Sequence, residues 1–139
     1  MIQQVIVDTG PLLALIDARD QYHAWARIQF AKIAPPLLTC EAVLTEVCHL
    51  AKRVDGGTSA VLDLFGRQVA RLEFSLAEQF SEVNALVHRY SDAPMSLADA
   101  CLVRMSELHT RSAIFTLDAD FGIYRRFKRQ RIPLVAPRK

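Results

Sequence analysis

Val5-Ile6-Val7-Asp8-Thr9-Gly10-Pro11-Leu12 opens with three β-branched apolar residues in a row and then meets an acid. A run without alternation is the pattern of a strand covered on both faces, as in a parallel sheet. Gly10-Pro11 reads as a break, after which Leu12 to Ile16 predicts a short helix. A buried strand, an acid at its carboxyl end and a helix close behind make the start of an α/β unit.

The same alternation continues along the chain. A helix is expected over Tyr22–Ile33, stopped by Pro35-Pro36, with a second strand at Leu37-Leu38-Thr39. Thr39 is placed to cap a helix from Glu41 to about Arg53, whose Val43, Leu44, Val47 and Leu50 share one side. Gly56-Gly57 ends that element and Thr58 starts another, to Phe65. Val69–Phe74 is a weaker strand, and Leu76–Tyr90 has helical spacing. Ser96 opens a helix to about His109, Ala113–Thr116 is a buried strand, Phe121–Lys128 reads as a short basic helix, and Ile132–Val135 as an edge strand. Strands separated by helices imply right-handed crossovers. The expected fold is therefore α/β: a three-layer α/β/α sandwich with a central, mostly parallel sheet of four to five strands. No repeat or linker divides residues 1–139, so one domain is expected.

Composition narrows the function classes. Apolar residues make up 51% and charged residues 23%, an ordinary globular balance, and no apolar run reaches membrane-spanning length. A basic n-region is missing before Asp8, so no secretory signal is expected and the protein is placed in the cytoplasm. Cys40, Cys48 and Cys101 are too few and scattered for a disulfide framework or zinc site, and His23, His49, His88 and His109 share no metal-binding spacing. Net charge is only +2, yet from Arg104 onward nine Lys/Arg face three Asp/Glu, which fits a polyanionic partner.

The candidate site is a set of acids. Asp8 and Asp118 both follow strands, where open parallel sheets bind their ligands. Glu46 falls at the edge of a helix's apolar stripe, and Asp99 stands in Ser96-x-x-Asp99, the spacing of a capping box, amid small apolar residues. Each has an ordinary structural use: turn, solvated helix face or cap. Asp120 is best read as the cap of the basic helix after it. Together, four carboxylates drawn to one end of a sheet repel one another, and burying an unpaired ion costs several kcal/mol. They persist there if some stay protonated or a cation neutralises them. An all-oxygen set without His or Cys suits Mg²⁺ or Mn²⁺.

Four segments resemble the motifs of PIN domains, in family order and across essentially the whole chain: Val7–Asp17, with Asp8; Glu41–Val47, with Glu46; Ser96–Ala100, with Asp99; and Thr116–Phe121, with Asp118 and the supporting hydroxyl of Thr116. Chain length is similar to that of free-standing VapC-type toxins. The resemblance implies a Mg²⁺- or Mn²⁺-dependent endoribonuclease with Asp8, Glu46, Asp99 and Asp118 as catalytic residues and ligands, and Asp120 as a lesser candidate. It also implies an RNA substrate, a cognate antitoxin and a homodimer. Gly10 departs from the small hydroxyl residue found at that place in many relatives, leaving Thr9 as the substitute.

RNA grip is expected from Arg104, Arg125, Arg126, Lys128 and Arg129, with Tyr124 or Phe127 available to stack on a base; a solvated helix face is the competing reading. Trp25 is expected on a packed helix face. A haloacid-dehalogenase phosphatase would need a second acid where Gly10 stands, and a receiver domain an acidic pair after the first strand. The remaining rivals are a PIN-like module that binds RNA or a partner without cutting, and an RNA-processing nuclease that is not a toxin. The presence of all four acids weighs against the first.

Overall fold

The computed structural model describes residues 1–138. Five strands form one sheet: β1 (Gln4–Val7), β2 (Leu37–Thr39), β3 (Ala70–Leu72), β4 (Ser112–Phe115) and β7 (Leu134–Val135). Their order is β3-β2-β1-β4-β7, and every pairing is parallel. The chain steps outward from β1 to β2 and β3, then returns to the other side of β1 with β4. The switch point thus lies between β1 and β4, where Val7 is paired with Phe115. In a parallel sheet the crevice at that point is the natural ligand site.

Six helices complete the α/β/α layers: α1 (Thr9–Ile16), α2 (His23–Lys32), α3 (Glu41–Leu50), α4 (Gly57–Gly66), α5 (Leu76–Arg89) and α6 (Leu97–Leu108). Helices α1, α3 and α4 pack on one another, and α5 packs on α6. Ile6, Val7, Leu38, Ile114 and Phe115 are fully or almost fully buried, as strands covered on both faces require. Trp25 and Phe30 of α2 pack against Phe115 with ring centroids 5.6 and 5.0 Å away, so Trp25 lies on a packed face as expected. No described helix is long and apolar enough to cross a membrane.

Four local expectations are corrected. Helix α1 starts at Thr9, and Gly10-Pro11 forms its first turn rather than a break. Proline costs nothing there because a first-turn N–H has no intrahelical partner. Thr39 does not cap α3: it lies in β2, fully buried, and its hydroxyl donates to the Val7 carbonyl at 2.7 Å, while Cys40 holds the cap position. Gly57 begins α4 in place of Thr58, and glycine is required there since a Cβ would meet the Ala51 carbonyl oxygen at 2.2 Å. The basic helix over Phe121–Lys128 does not form. A 3₁₀ turn over Ala119–Gly122 gives way to a small antiparallel hairpin, β5 (Arg125–Arg126) with β6 (Gln130–Arg131). A helix would have stacked Arg125 on Lys128 one turn away, an unfavourable like-charge pair.

Candidate metal centre

Asp8 ends β1 and caps α1. Its Oδ1 accepts the Thr9 N–H at 2.7 Å, its Oδ2 accepts the Thr116 hydroxyl at 2.8 Å, and its own N–H donates to the Phe115 carbonyl at 2.9 Å. The side chain is fixed where the two central strands end, in a residue only 7% exposed. Burial lifts its carboxyl to about 6; the two hydrogen bonds oppose that rise, and the neighbouring Asp99 and Glu46 charges add to it.

Thr116 serves two acids. While donating to Asp8 it accepts the Asp118 N–H at 2.9 Å. Asp118 starts the 3₁₀ turn, with Oδ1 accepting the Asp120 N–H at 2.9 Å. Asp120 therefore caps no basic helix, and its side chain does not line the cleft that the four acids share.

Asp99 enters from α6 through the capping box read in the sequence. Its N–H donates to Ser96 Oγ and its Oδ2 accepts the Ser96 N–H, both at 3.0 Å. Ala98, Ala100 and Cys101 are small enough to bring this helix end close to the sheet. Burial raises the Asp99 carboxyl, and the Asp118 and Glu46 charges push the same way, against the Ser96 hydrogen bonds. The Tyr124 hydroxyl reaches Asp99 Oδ2 at 3.5 Å. Tyr124 is fully buried, in edge contact with Tyr90 and Phe121, so it cannot stack on a base as expected from sequence.

Glu46 projects from the exposed side of α3, where its Oε1 accepts the Thr9 hydroxyl at 2.6 Å. Thr9 is thus the hydroxyl that works beside Gly10. A Cβ at Gly10 would meet the Leu117 side chain at 3.2 Å, so a side chain there requires Leu117 to give by a few tenths of an ångström.

These acids share one cleft of about 410 Å³, with Leu50 and Leu117 as apolar walls and Ser96 on its rim. Leu50 and Leu117 were not expected there, since nothing in their local sequence marks a cleft wall. The donors are all oxygen. Glu46 Oε2, Asp99 Oδ1 and Asp118 Oδ2 accept no hydrogen bond from the described residues. Among those residues, no group of three or more acids, His or Cys is drawn close enough together to hold a metal ion by itself. The set fits a hard divalent cation that takes few protein oxygens and keeps several waters, as Mg²⁺ does.

The expected RNA-gripping residues divide. Lys128 and Arg129 are exposed and make no ion pair among the described residues. Arg104 is tied to Gln79 at 2.8 Å and Glu107 at 3.1 Å. Arg125 donates to the carbonyls of Gly122, Ile123 and Tyr124. Arg126 is only 4% exposed and donates to the Ser106 carbonyl at 3.0 Å, so it anchors structure instead of holding phosphate.

An open parallel α/β sheet with an acidic cleft at its switch point defines the class of protein. A PIN domain model matches residues 5–126, and the chain belongs to the PIN domain family. The crystal structure of Mycobacterium tuberculosis VapC20, described as a sarcin-ricin loop cleaving toxin, shares the fold. Its TM-score is 0.74 at 23% identity, covering 86% of this chain and 94% of that one. Comparison with curated proteins gives no significant match.

Proposed function

We propose that this PIN domain is a divalent-metal-dependent endoribonuclease and the toxin of a type II toxin–antitoxin pair. The observation that carries the reading is the meeting of Asp8, Glu46, Asp99 and Asp118, from four separate segments, in one cleft at the switch point. The fold shared with VapC20, a toxin described as cleaving the sarcin-ricin loop, supports RNA as substrate. We extend the reading to a single domain, a homodimer and a cytoplasmic protein silenced by a cognate antitoxin.

Asp8, Asp99 and Asp118 would hold Mg²⁺ or Mn²⁺, with Glu46 completing the set directly or through a water. When bound, such an ion supplies Lewis-acid stabilisation of a phosphodiester and makes water a better nucleophile near neutral pH. Thr116 fixes Asp8 and the backbone of Asp118 with one hydroxyl, so the two acids keep their spacing. Thr9 holds Glu46 Oε1 and leaves Oε2 to orient, and take a proton from, an attacking water. Ser96 pins Asp99 Oδ2 and leaves Oδ1 for the ion.

The test is cleavage of total RNA by chelator-stripped protein, with and without Mn²⁺, for wild type and Asp99→Asn. Products should appear only with wild type and metal. Equal cleavage by the variant or in chelator contradicts the reading, as does an inert Mn²⁺-loaded wild type on total RNA that includes folded ribosomal RNA. Co-purification with a small DNA-binding protein encoded beside it would separate a toxin from a processing nuclease.

A further inference from the structure

Five of the seven residues from Arg125 to Arg131 are Lys or Arg, and none is acidic. They form the β5–β6 hairpin, with Arg126 opposite Gln130 and Arg125 opposite Arg131. Phe127 and Lys128 at its tip have φ of +52° and +69°, the left-handed region that residues with side chains avoid. A tight hairpin turn needs such angles, ordinarily at Gly, Asn or Asp; at Phe and Lys they cost energy that the surroundings must offset.

Here that support comes from α6. Glu107 Oε2 accepts the Phe127 N–H at 2.7 Å, and buried Arg126 is tied to the Ser106 carbonyl. The Arg126 guanidinium lies 5.7 Å from the centroid of the Phe127 ring. The ring is thereby held from behind by a buried cation while 47% of the residue stays exposed. Around it, Lys128, Arg129 and Arg131 are exposed and make no ion pair among the described residues. A braced aromatic face among uncommitted cations suits a base stacked on the ring with its phosphates neutralised on either side. Folding gains nothing comparable from exposing a phenylalanine at a strained tip.

The hairpin is joined to the acidic cleft. Tyr124, which leads into β5, touches Asp99 through its hydroxyl, and Glu107 lies eight residues along α6 from Asp99. At the helical rise per residue, the tip is anchored about 12 Å from the cleft. An RNA strand crossing the tip could enter the cleft within a few nucleotides.

We propose that the 125–131 hairpin docks an unpaired stretch of RNA, with Phe127 stacking on one base and Lys128, Arg129 and Arg131 on the flanking phosphates. This rests on the ribonuclease reading of the cleft and adds a substrate requirement: an accessible base a few nucleotides from the cut bond. Bases inside a duplex already stack on each other and leave no face for the ring.

The experiment is fluorescence anisotropy in EDTA, with a fluorescein-labelled 12-nucleotide single-stranded RNA of mixed sequence and the matching duplex. Wild type is compared with Phe127→Ala, Phe127→Leu, Phe127→Trp and Lys128→Gln/Arg129→Gln. Phe127→Ala and Phe127→Leu should each weaken single-strand binding by roughly 5- to 150-fold, and Phe127→Trp should restore it. Duplex binding should be indifferent to residue 127, and the double charge variant should flatten the salt dependence for both probes. Unchanged single-strand affinity in Phe127→Ala overturns the proposal, as does a wild type that binds no single strand. So does a dimer that dissociates in Phe127→Ala but survives in Phe127→Leu with RNA affinity intact, because the ring would then be a contact between copies. Because binding is read without metal, cleavage stays a separate readout. RNA bound through Phe127 but never cut with Mn²⁺ would sink the nuclease reading alone, and RNA cut normally with no role for Phe127 would sink the hairpin alone.

Discussion

Asp8→Asn replaces the most enclosed acid of the cleft with a neutral side chain of nearly the same shape, and it should stabilise the metal-free protein. In the folded chain the carboxyl is lifted from 3.8 to about 6. Between those values the folded state holds a proton that the unfolded state has lost, so stability falls as pH rises through the window. The favourable contribution is complete below about 4 and gone above about 6. That shift is worth about 3 kcal/mol, missing from the metal-free wild type at pH 7.5. Asparagine avoids the charge but has one acceptor oxygen where Asp8 uses two, at 2.7 and 2.8 Å, a loss of about 1 kcal/mol. The net gain is about 2 kcal/mol, or about 4 to 8 °C in Tm for a domain of this size. Differential scanning calorimetry in EDTA from pH 4 to pH 8 reads it directly. Near pH 4 the variant should melt slightly lower, by the lost hydrogen bond; the two curves should cross as pH rises, and by pH 7 the variant should melt higher. With saturating Mn²⁺ the order should reverse, because only the wild type keeps its full ligand set. A variant that melts lower at pH 7.5 in EDTA, or a gap that ignores pH, would refute the claim that Asp8 is a buried charge awaiting a counter-ion.

Other outcomes follow from single contacts. Thr116→Val keeps the volume of a fully buried side chain but takes a donor from Asp8 and an acceptor from Asp118 N–H; urea unfolding should show a loss of about 1 to 3 kcal/mol, with cleavage falling as well. Ser96→Ala removes the cap of α6. It should cost about 1 kcal/mol and weaken Mn²⁺ binding, since Asp99 loses its brace. Gly57→Ala drives a methyl group to 2.2 Å from the Ala51 carbonyl; destabilisation of about 3 kcal/mol by urea unfolding is expected, with metal affinity unchanged in the folded fraction. Arg126→Met should lower Tm yet leave the salt dependence of RNA binding as it was, the reverse of Lys128→Gln.

The parts of this molecule that were legible in sequence are those fixed by local pattern. Val5-Ile6-Val7 and Ala113-Ile114-Phe115 show no alternation because helices cover both faces of the strands they form. Ser96 and Asp99 announce a helix start within four residues, and the box forms as read. Asp8 and Asp118 stand out because each lies just past the end of such a strand, Asp8 at once and Asp118 after Thr116 and Leu117. What stayed hidden depends on partners distant in sequence. Thr39 has the chemistry of a cap, but β1 lies beside it and takes its hydroxyl. Nothing near Thr9 shows that it will hold Glu46, a residue 37 positions away. The run after Asp120 looks helical by composition, yet Tyr124 finds a cavity between Tyr90 and Phe121, and that burial draws the backbone out of helix. Arg126 follows it inward, which no count of charges would reveal.

The most direct measurement is Mn²⁺ binding by electron paramagnetic resonance, for chelator-stripped wild type and for Asp8→Asn, Asp99→Asn and Asp118→Asn. One set of sites is expected in the wild type, with affinity at least tenfold weaker in each variant while each still melts cooperatively. No bound Mn²⁺ at millimolar concentration, or variants that bind as the wild type does, would contradict it and leave the cleft an acidic pocket with another purpose.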